Sequence, residues 1–200
     1  LIYLILIVFT GSSLAEELLI VHTNDFHGHI AEQKDYAGAA RIAAFVRELR
    51  ANHPLVLFVD AGDAITGTPV SSLFEGEPIF DVMNAMGYDV GLLGNHEFDY
   101  GADKITRFRE IAKFPLLGAT AFDSQDQVLS DSPFIIIERG TLKIGIIGIL
   151  TDTTPLLITP HGNKNLTFKS PAEVLKRLIP AIKPKVDFLM VLSHTGFTED

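Results

Sequence analysis

Leu18-Leu19-Ile20-Val21-His22-Thr23-Asn24-Asp25-Phe26-His27-Gly28-His29 carries a short apolar run straight into carboxylate and imidazole side chains. The run is rich in branched residues and reads as a buried strand. Asp25 and His27 lie two apart, so in an extended segment both side chains point to one side. The same pattern recurs three times along the chain. Residues 55–59 lead into Asp60-Ala61-Gly62-Asp63, and residues 90–93 into Gly94-Asn95-His96-Glu97-Phe98-Asp99. Residues 188–192 lead into Ser193-His194-Thr195-Gly196.

Helical patterns separate these runs. Over residues 38–52, Ile42, Phe45, Val46 and Leu49 recur at one-face spacing, with Arg41, Arg47, Glu48 and Arg50 opposite. Residues 77–86 read as a helix ended by Gly87, and Ile105, Phe108 and Ile111 mark another, followed by a strand around Leu116. The apolar runs 134–137 and 142–149 flank Arg139-Gly140, which predicts an antiparallel hairpin. Ser170-Pro171-Ala172-Glu173 has the form of a capping box with proline in the first turn. Val174, Leu175 and Leu178 supply that helix's buried face, and Pro180 and Pro184 are expected to kink or end it. Residues 123–131 and 159–165 are polar loops. Strands alternating with helices give an α/β architecture, and the hairpin makes a mixed sheet the expectation.

The chain has 200 residues, 47% of them hydrophobic, enough to bury a core without cross-links. It needs none, for Cys is absent, which also excludes Cys-ligated zinc and thiol chemistry. Residues 1–9 are uninterruptedly apolar, and Ser13 and Ala15 fit a signal-peptidase site. Residues 1–15 are therefore expected to be a partial signal peptide, beginning partway through, and residues 16–200 one domain. A buried amino-terminal strand is the alternative for the apolar run, which is too short for a membrane-spanning helix. Export to the periplasm or the exterior follows from the signal-peptide reading. The net charge of -9 argues against nucleic-acid polymers as partners. An acidic protein that handles phosphate needs local positive charge, and bound cations supply it.

Loops at the carboxyl ends of strands in an α/β sheet converge on one edge. That edge is expected to gather Asp25, His27, Asp63, Asn95 and His194. Carboxylate, amide oxygen and imidazole together suit divalent cations such as zinc or manganese. A carboxylate has two oxygens, so Asp63 can bridge two ions, and a pair about 3.5–4 Å apart clamps a phosphoryl group. Gly62 and Gly94 allow close backbone approach to a crowded centre.

Asn24-Asp25-Phe26-His27-Gly28-His29, Gly62-Asp63 and Gly94-Asn95-His96-Glu97-Phe98-Asp99 resemble the calcineurin-like metallophosphoesterases. Thr66-Gly67-Thr68-Pro69 and Met86-Gly87-Tyr88-Asp89 are similar to segments of the 5′-nucleotidase and UDP-sugar hydrolase group within them. The resemblance implies a sandwich of mixed sheets flanked by helices, incomplete at the carboxyl-terminal end. It implies two divalent ions, one held by Asp25, His27 and Asp63, the second begun by Asp63, Asn95 and His194. His96, held by Asp99, would contact the phosphoryl group, and a metal-bound water would attack in line without a covalent intermediate. The family carries a further Gly-His segment beyond the position of His194 and a carboxyl-terminal domain that grips the nucleoside, so a fragment of a longer protein is expected.

Blander readings exist for each residue. Asp25 alone would start an Asx turn, Asp99 precedes Gly101 where it would serve as a helix cap, and a strand-end histidine such as His194 is often only surface. His22, His53 and His161 are assigned no role. His29 and Asp60 are placed beside the ligands rather than among them, and Glu97 is left without a function. The leading expectation is hydrolysis of nucleoside monophosphates. A cyclic phosphodiesterase or UDP-sugar pyrophosphatase on the same core is the alternative, and a non-catalytic exported nucleotide-binding module is the rival of another class.

Overall fold

The computed structural model describes residues 3–8, 17–196 and 198. The expected cleavage site around Ser13 and Ala15 lies outside the described residues. Strand β1 (Tyr3–Val8) runs antiparallel to β2 (Glu17–Thr23). From Leu18 to Val21 every side chain of β2 is buried, which is why its sequence is continuously apolar rather than alternating. Helix α1 (Gly38–Asn52) buries Ile42, Ala43 and Val46. Phe45, expected on that buried face, is an exposed residue instead, because the stripe is narrower than the sequence pattern suggests. Strand β3 (Val56–Asp60) is buried throughout. A short helix α2 (Pro69–Leu73), not anticipated from the sequence, precedes α3 (Glu77–Met86). Gly87 closes α3 in the left-handed conformation, its N–H reaching the Met83 and Asn84 carbonyls.

Strand β4 (Val90–Leu92) leads through a tight 3-10 turn into α4 (Ala102–Ile111), followed by β5 (Leu116–Leu117) and β6 (Ala121–Phe122). Strands β7 (Phe134–Arg139) and β8 (Leu142–Leu150) form the expected antiparallel hairpin. Strand β9 (Thr167–Phe168) pairs with β6, a two-residue ladder too short to leave a periodic signal. Helix α5 (Pro171–Ile182) begins at Ser170, whose side chain makes no capping bond, so the capping box is not formed. The helix also continues through Pro180. That proline is exposed, so its ring lies on the outer face of the helix, and only Pro184 falls in the 3-10 turn beyond.

The last strand, β10 (Phe188–His194), runs parallel to β8. It lies at the edge of the order β10-β8-β7, and of its side chains only Leu192 is buried. The first sheet has the order β1-β2-β3-β4-β5, parallel from β2 to β5. The two sheets pack face to face: Leu18, Ile20, Leu57, Val59 and Leu92 of the first meet Ile144, Ile146 and Leu192 of the second. Helices α1, α3 and α4 cover the other side of the first sheet, with Ile42, Met83 and Phe108 in that core. Val174 and Ile182 of α5 cover the far side of the second. The result is a helix–sheet–sheet–helix sandwich of mixed sheets. No helix among the described residues is long and apolar enough to cross a membrane.

Leu57 has no exposed surface between the sheets, whereas Val191 on the edge strand is exposed. Leu57→Ala is expected to cost about 2–5 kcal/mol of stability and Val191→Ala less than about 1 kcal/mol, measured as denaturant midpoints. Equal effects would contradict the face-to-face packing.

Candidate metal centre

The pairing of β2 with β3 does not stop where the strands do. Ala61 N–H donates to the Thr23 carbonyl at 2.8 Å, Asp25 N–H to Gly62 at 3.0 Å, His27 N–H to Asp63 at 3.1 Å and Gly28 N–H to Ala64 at 2.9 Å. The two ligand-bearing loops therefore travel together away from the sheet. They do so with a kinked backbone. Asp25, His27 and Asp63 take positive φ values of 51°, 47° and 57°, a region that costs an L-residue energy and that Asp and His tolerate better than most. The expectation of an extended Asp25–His27 segment is thus corrected. The side chains share a side because both residues turn left-handed.

Five of the expected residues meet at this rim. His27, Asp63 and His96 offer donor atoms within 4.8 Å of one another, and so do Asp25, Asp63 and His194, with Asp63 common to both groups. Asp63 Oδ2 lies 3.2 Å from His194 Nε2 and 4.0 Å from His96 Nε2. His27 Nε2 lies 3.7 Å from Asp25 Oδ1. Two imidazoles are aimed from behind: His194 Nδ1 bonds the Ala61 carbonyl at 2.8 Å, and His27 Nδ1 the Ile65 carbonyl at 3.0 Å. A carbonyl only accepts, so each Nδ1 carries the proton and each Nε2 is directed at the centre. Asn95 is buried in the turn immediately before His96. Asp99 Oδ2 takes His96 Nδ1 at 2.6 Å. Asp99 does not cap α4, whose N-cap residue is Gly101 without a side-chain bond.

Close approach is enforced at two glycines. A Cβ on Gly62 would sit 2.8 Å from Gly94 Cα and 3.1 Å from His194 Nδ1, and one on Gly94 would collide with Asp63. Solvent access is one-sided. The Asp63 side chain is 5% exposed, His194 16%, His96 34% and Asp25 49%, so an anion arriving from water meets Asp25 and His96 before the shared carboxylate. Beside Asp25 a cavity of about 290 Å³ opens, lined in part by Asn24, His29 and Tyr36.

Charge is concentrated here. Burial opposes the His194 imidazolium, but its bond to Asp63 prevails and pushes it up to about 9. Burial likewise opposes the Asp63 carboxylate, and the same partner holds it below the ordinary carboxylate range. Cations entering the centre must displace that proton. Burial works against a charged His96 too, yet the Asp99 bond raises it.

Two buried acids were underestimated by sequence reasoning. Glu97 is 1% exposed, and its oxygens accept from the backbone N–H groups of Asp63, Ala64, Ile65 and Gly94. Burial, then the Asp63 charge, pushes its carboxyl up to about 7. Asp60 accepts from Thr23 Oγ1 at 2.9 Å and from Gly62 N–H at 3.1 Å. Burial first, and the Glu97 charge second, hold it well above the carboxylate range. Nothing in local periodicity marks either residue, since their partners are backbone groups or lie far along the chain. His29 stacks on Tyr36 at 3.5 Å between centroids, outside both donor groups.

Strand ends that deliver carboxylate and imidazole to one rim of a layered α/β sandwich define a metallophosphoesterase, and the chain belongs to the calcineurin-like phosphoesterase family, whose model matches residues 18–200. Among curated proteins it is similar to the snake venom 5′-nucleotidase of Gloydius brevicauda, 38% identical over 92% of this chain and 34% of that protein. It is also similar to Protein UshA of Escherichia coli, 34% identical over 90% of this chain and 34% of that protein. Among solved structures, the 5′-nucleotidase precursor of Thermus thermophilus superposes with a TM-score of 0.82 at 31% identity, covering 92% of this chain and 38% of that one. The chain spans about a third of the length of these relatives.

The raised Asp60 carboxyl gives a pH test. Asp60 in the unfolded chain ionises near 3.8, and burial raises the folded residue well above that, so its contribution is fully present below the unfolded value and is lost as pH rises through the raised folded one. In chelator-treated buffer, wild type should lose stability relative to Asp60→Asn as pH climbs above about 4, followed by urea midpoints. A margin that stays constant with pH would refute the raised Asp60 carboxyl.

Proposed function

We propose that this chain is the metal-binding part of an exported phosphoesterase of the 5′-nucleotidase type, which hydrolyses nucleotide phosphate esters. The observation that carries the reading is the position of Asp63, whose one buried carboxylate belongs to two donor groups at the same rim. The donors fit a pair of divalent cations such as zinc or manganese, because carboxylate oxygens and pre-aimed imidazole nitrogens are what those ions take. Asp25, His27 and Asp63 would hold one ion; Asp63, Asn95 and His194 would begin the shell of the other. Cations so held neutralise phosphate charge and lower the pKa of water towards neutrality.

The remaining work falls to this chain's own groups. His96 receives Asp99 on Nδ1 and turns Nε2 to the centre. A protonated Nε2 donates to a phosphoryl oxygen and offsets the charge that develops there during in-line displacement. Asp99 keeps the ring oriented and favours its charged form. His96 is assigned this role rather than ligation, although His27 and Asp63 stand within coordinating range of it, because the family resemblance puts the phosphoryl contact on this histidine and its side chain is the more exposed to an incoming anion, 34% against 16% for His194.

Export is supported by the apolar residues 1–9 with small residues at Ser13 and Ala15, and by relatives named as a venom enzyme and a precursor. A second substrate class has its own support. The NAD nucleotidase of Haemophilus influenzae superposes with a TM-score of 0.81 at 29% identity, so a nucleotide pyrophosphate bond is the alternative to a monophosphate ester.

Phosphate release from AMP, compared with a cyclic nucleotide, a UDP-sugar and NAD, separates these readings. Turnover should vanish with a chelator and return with manganese or zinc. AMP binding without metal-dependent turnover would establish a binding module instead. Asp63→Ala should empty the centre in elemental analysis, and undiminished loading would refute its bridging role. His96→Ala should retain the metals and lower kcat about 10²–10⁴-fold; a wild-type rate would remove His96 from the reaction.

A further inference from the structure

Glu97 lies beside the reacting groups without facing them. Its Oε2 accepts from Asp63 N–H at 3.0 Å and from Gly94 N–H at 2.7 Å, and its Oε1 from Ala64 at 2.9 Å and Ile65 at 3.3 Å. Gly94 directly precedes Asn95, and Asp63 is the carboxylate common to both donor groups. One buried side chain therefore ties the loop after β3 to the loop after β4. A second bond closes the link from the opposite direction, where Asp63 Oδ1 accepts His96 N–H at 2.9 Å. Held at its backbone by Glu97 and at Oδ1 by His96, Asp63 is left with Oδ2 turned to His194 and to the His96 ring.

Four inward N–H groups converge on the two oxygens of this one carboxyl group. Glutamine keeps the shape but sets an NH₂ against two donors, which leaves buried groups unpaired. Aspartate keeps both oxygens but falls about 1.5 Å short, one carbon–carbon bond. We propose that Glu97 is a positioning residue of the metal centre: by fixing the Asp63 loop against the Asn95–His96 turn, it sets the affinity for the second cation and, through His96, the rate of phosphoryl transfer. This rests on the phosphoesterase reading above.

The full chain titrated with Mn²⁺ by calorimetry tests it, alongside kcat and KM for AMP. Glu97→Gln should weaken the second Mn²⁺ site about 10–100-fold and lower kcat with little change in KM. Glu97→Asp should lie between it and wild type. Phe108→Leu, a buried change on α4 where Phe108 stacks on Phe80 at 4.6 Å, serves as the stability control. It should lower the denaturation midpoint and leave both Mn²⁺ sites and kcat unchanged. If Glu97→Gln does not fold, Glu97→Asp carries the same comparison. A folded Glu97 variant with wild-type Mn²⁺ affinities and wild-type kcat would overturn the proposal. Loss of Mn²⁺ affinity in Phe108→Leu equal to that in the Glu97 variants would overturn it as well, by reducing the effect to stability. Mn²⁺ uptake by wild type without AMP turnover would instead refute the activity, leaving the affinity comparison to decide the role of Glu97. A wild type that takes up no Mn²⁺ would refute both.

Discussion

Three carboxylates buried at one sheet edge, Asp60, Asp63 and Glu97, are what the rest of this structure has to accommodate. Removing a carboxylate from water is costly unless it is paired, hydrogen-bonded or neutralised, and three in close quarters repel one another besides. Each meets the difficulty differently. Asp60 takes the Thr23 hydroxyl and the Gly62 N–H with its carboxyl held well above the ordinary range, Asp63 takes the His194 imidazole, and Glu97 gathers backbone N–H groups. The backbone around them is shaped to match. Left-handed residues turn the ligands inward, and glycines at 62 and 94 remove the Cβ atoms that would keep the loops apart. Such an arrangement is poor design for stability alone and suits a place where positive charge is to be received.

Much of this was legible in the sequence, for a definite reason. A buried parallel strand is continuously apolar, so its end is sharp, and a carboxylate or imidazole directly after it is conspicuous. That is how Asp25, Asp63, His96 and His194 stood out, and the hairpin of β7 and β8 was equally plain from its turn. The misreadings share a different cause. Glu97 acts through amides of a loop more than thirty residues earlier, and amides have no side-chain signature. The Asp25–His27 spacing suggested extended backbone because spacing carries no information on φ. Ser170 has the composition of a cap but not its bond, and Pro180 sits on the exposed face of a helix that continues through it.

The family likeness and the geometry support each other from separate directions. The matched region begins at Leu18, the first buried residue of β2, and runs past His194. It therefore covers all the elements that deliver side chains to the rim. The relatives extend much farther than this chain, which spans about a third of their length.

His194 enters the centre from a different sheet than the side chains it meets. Asp25, His27 and Asp63 come from the β2 and β3 ends, while His194 closes β10. The rim thus adds a polar joint between two slabs whose facing surfaces are apolar, beside the Arg139–Asp89 ion pair and the Thr120–Leu150 bonds that also link them. Cations held there would favour the packed arrangement of the slabs and so resist their separation. Loosening of β10 near His194 would in turn weaken the grip on those cations, because His194 is the side chain that reaches Asp63 from the second sheet.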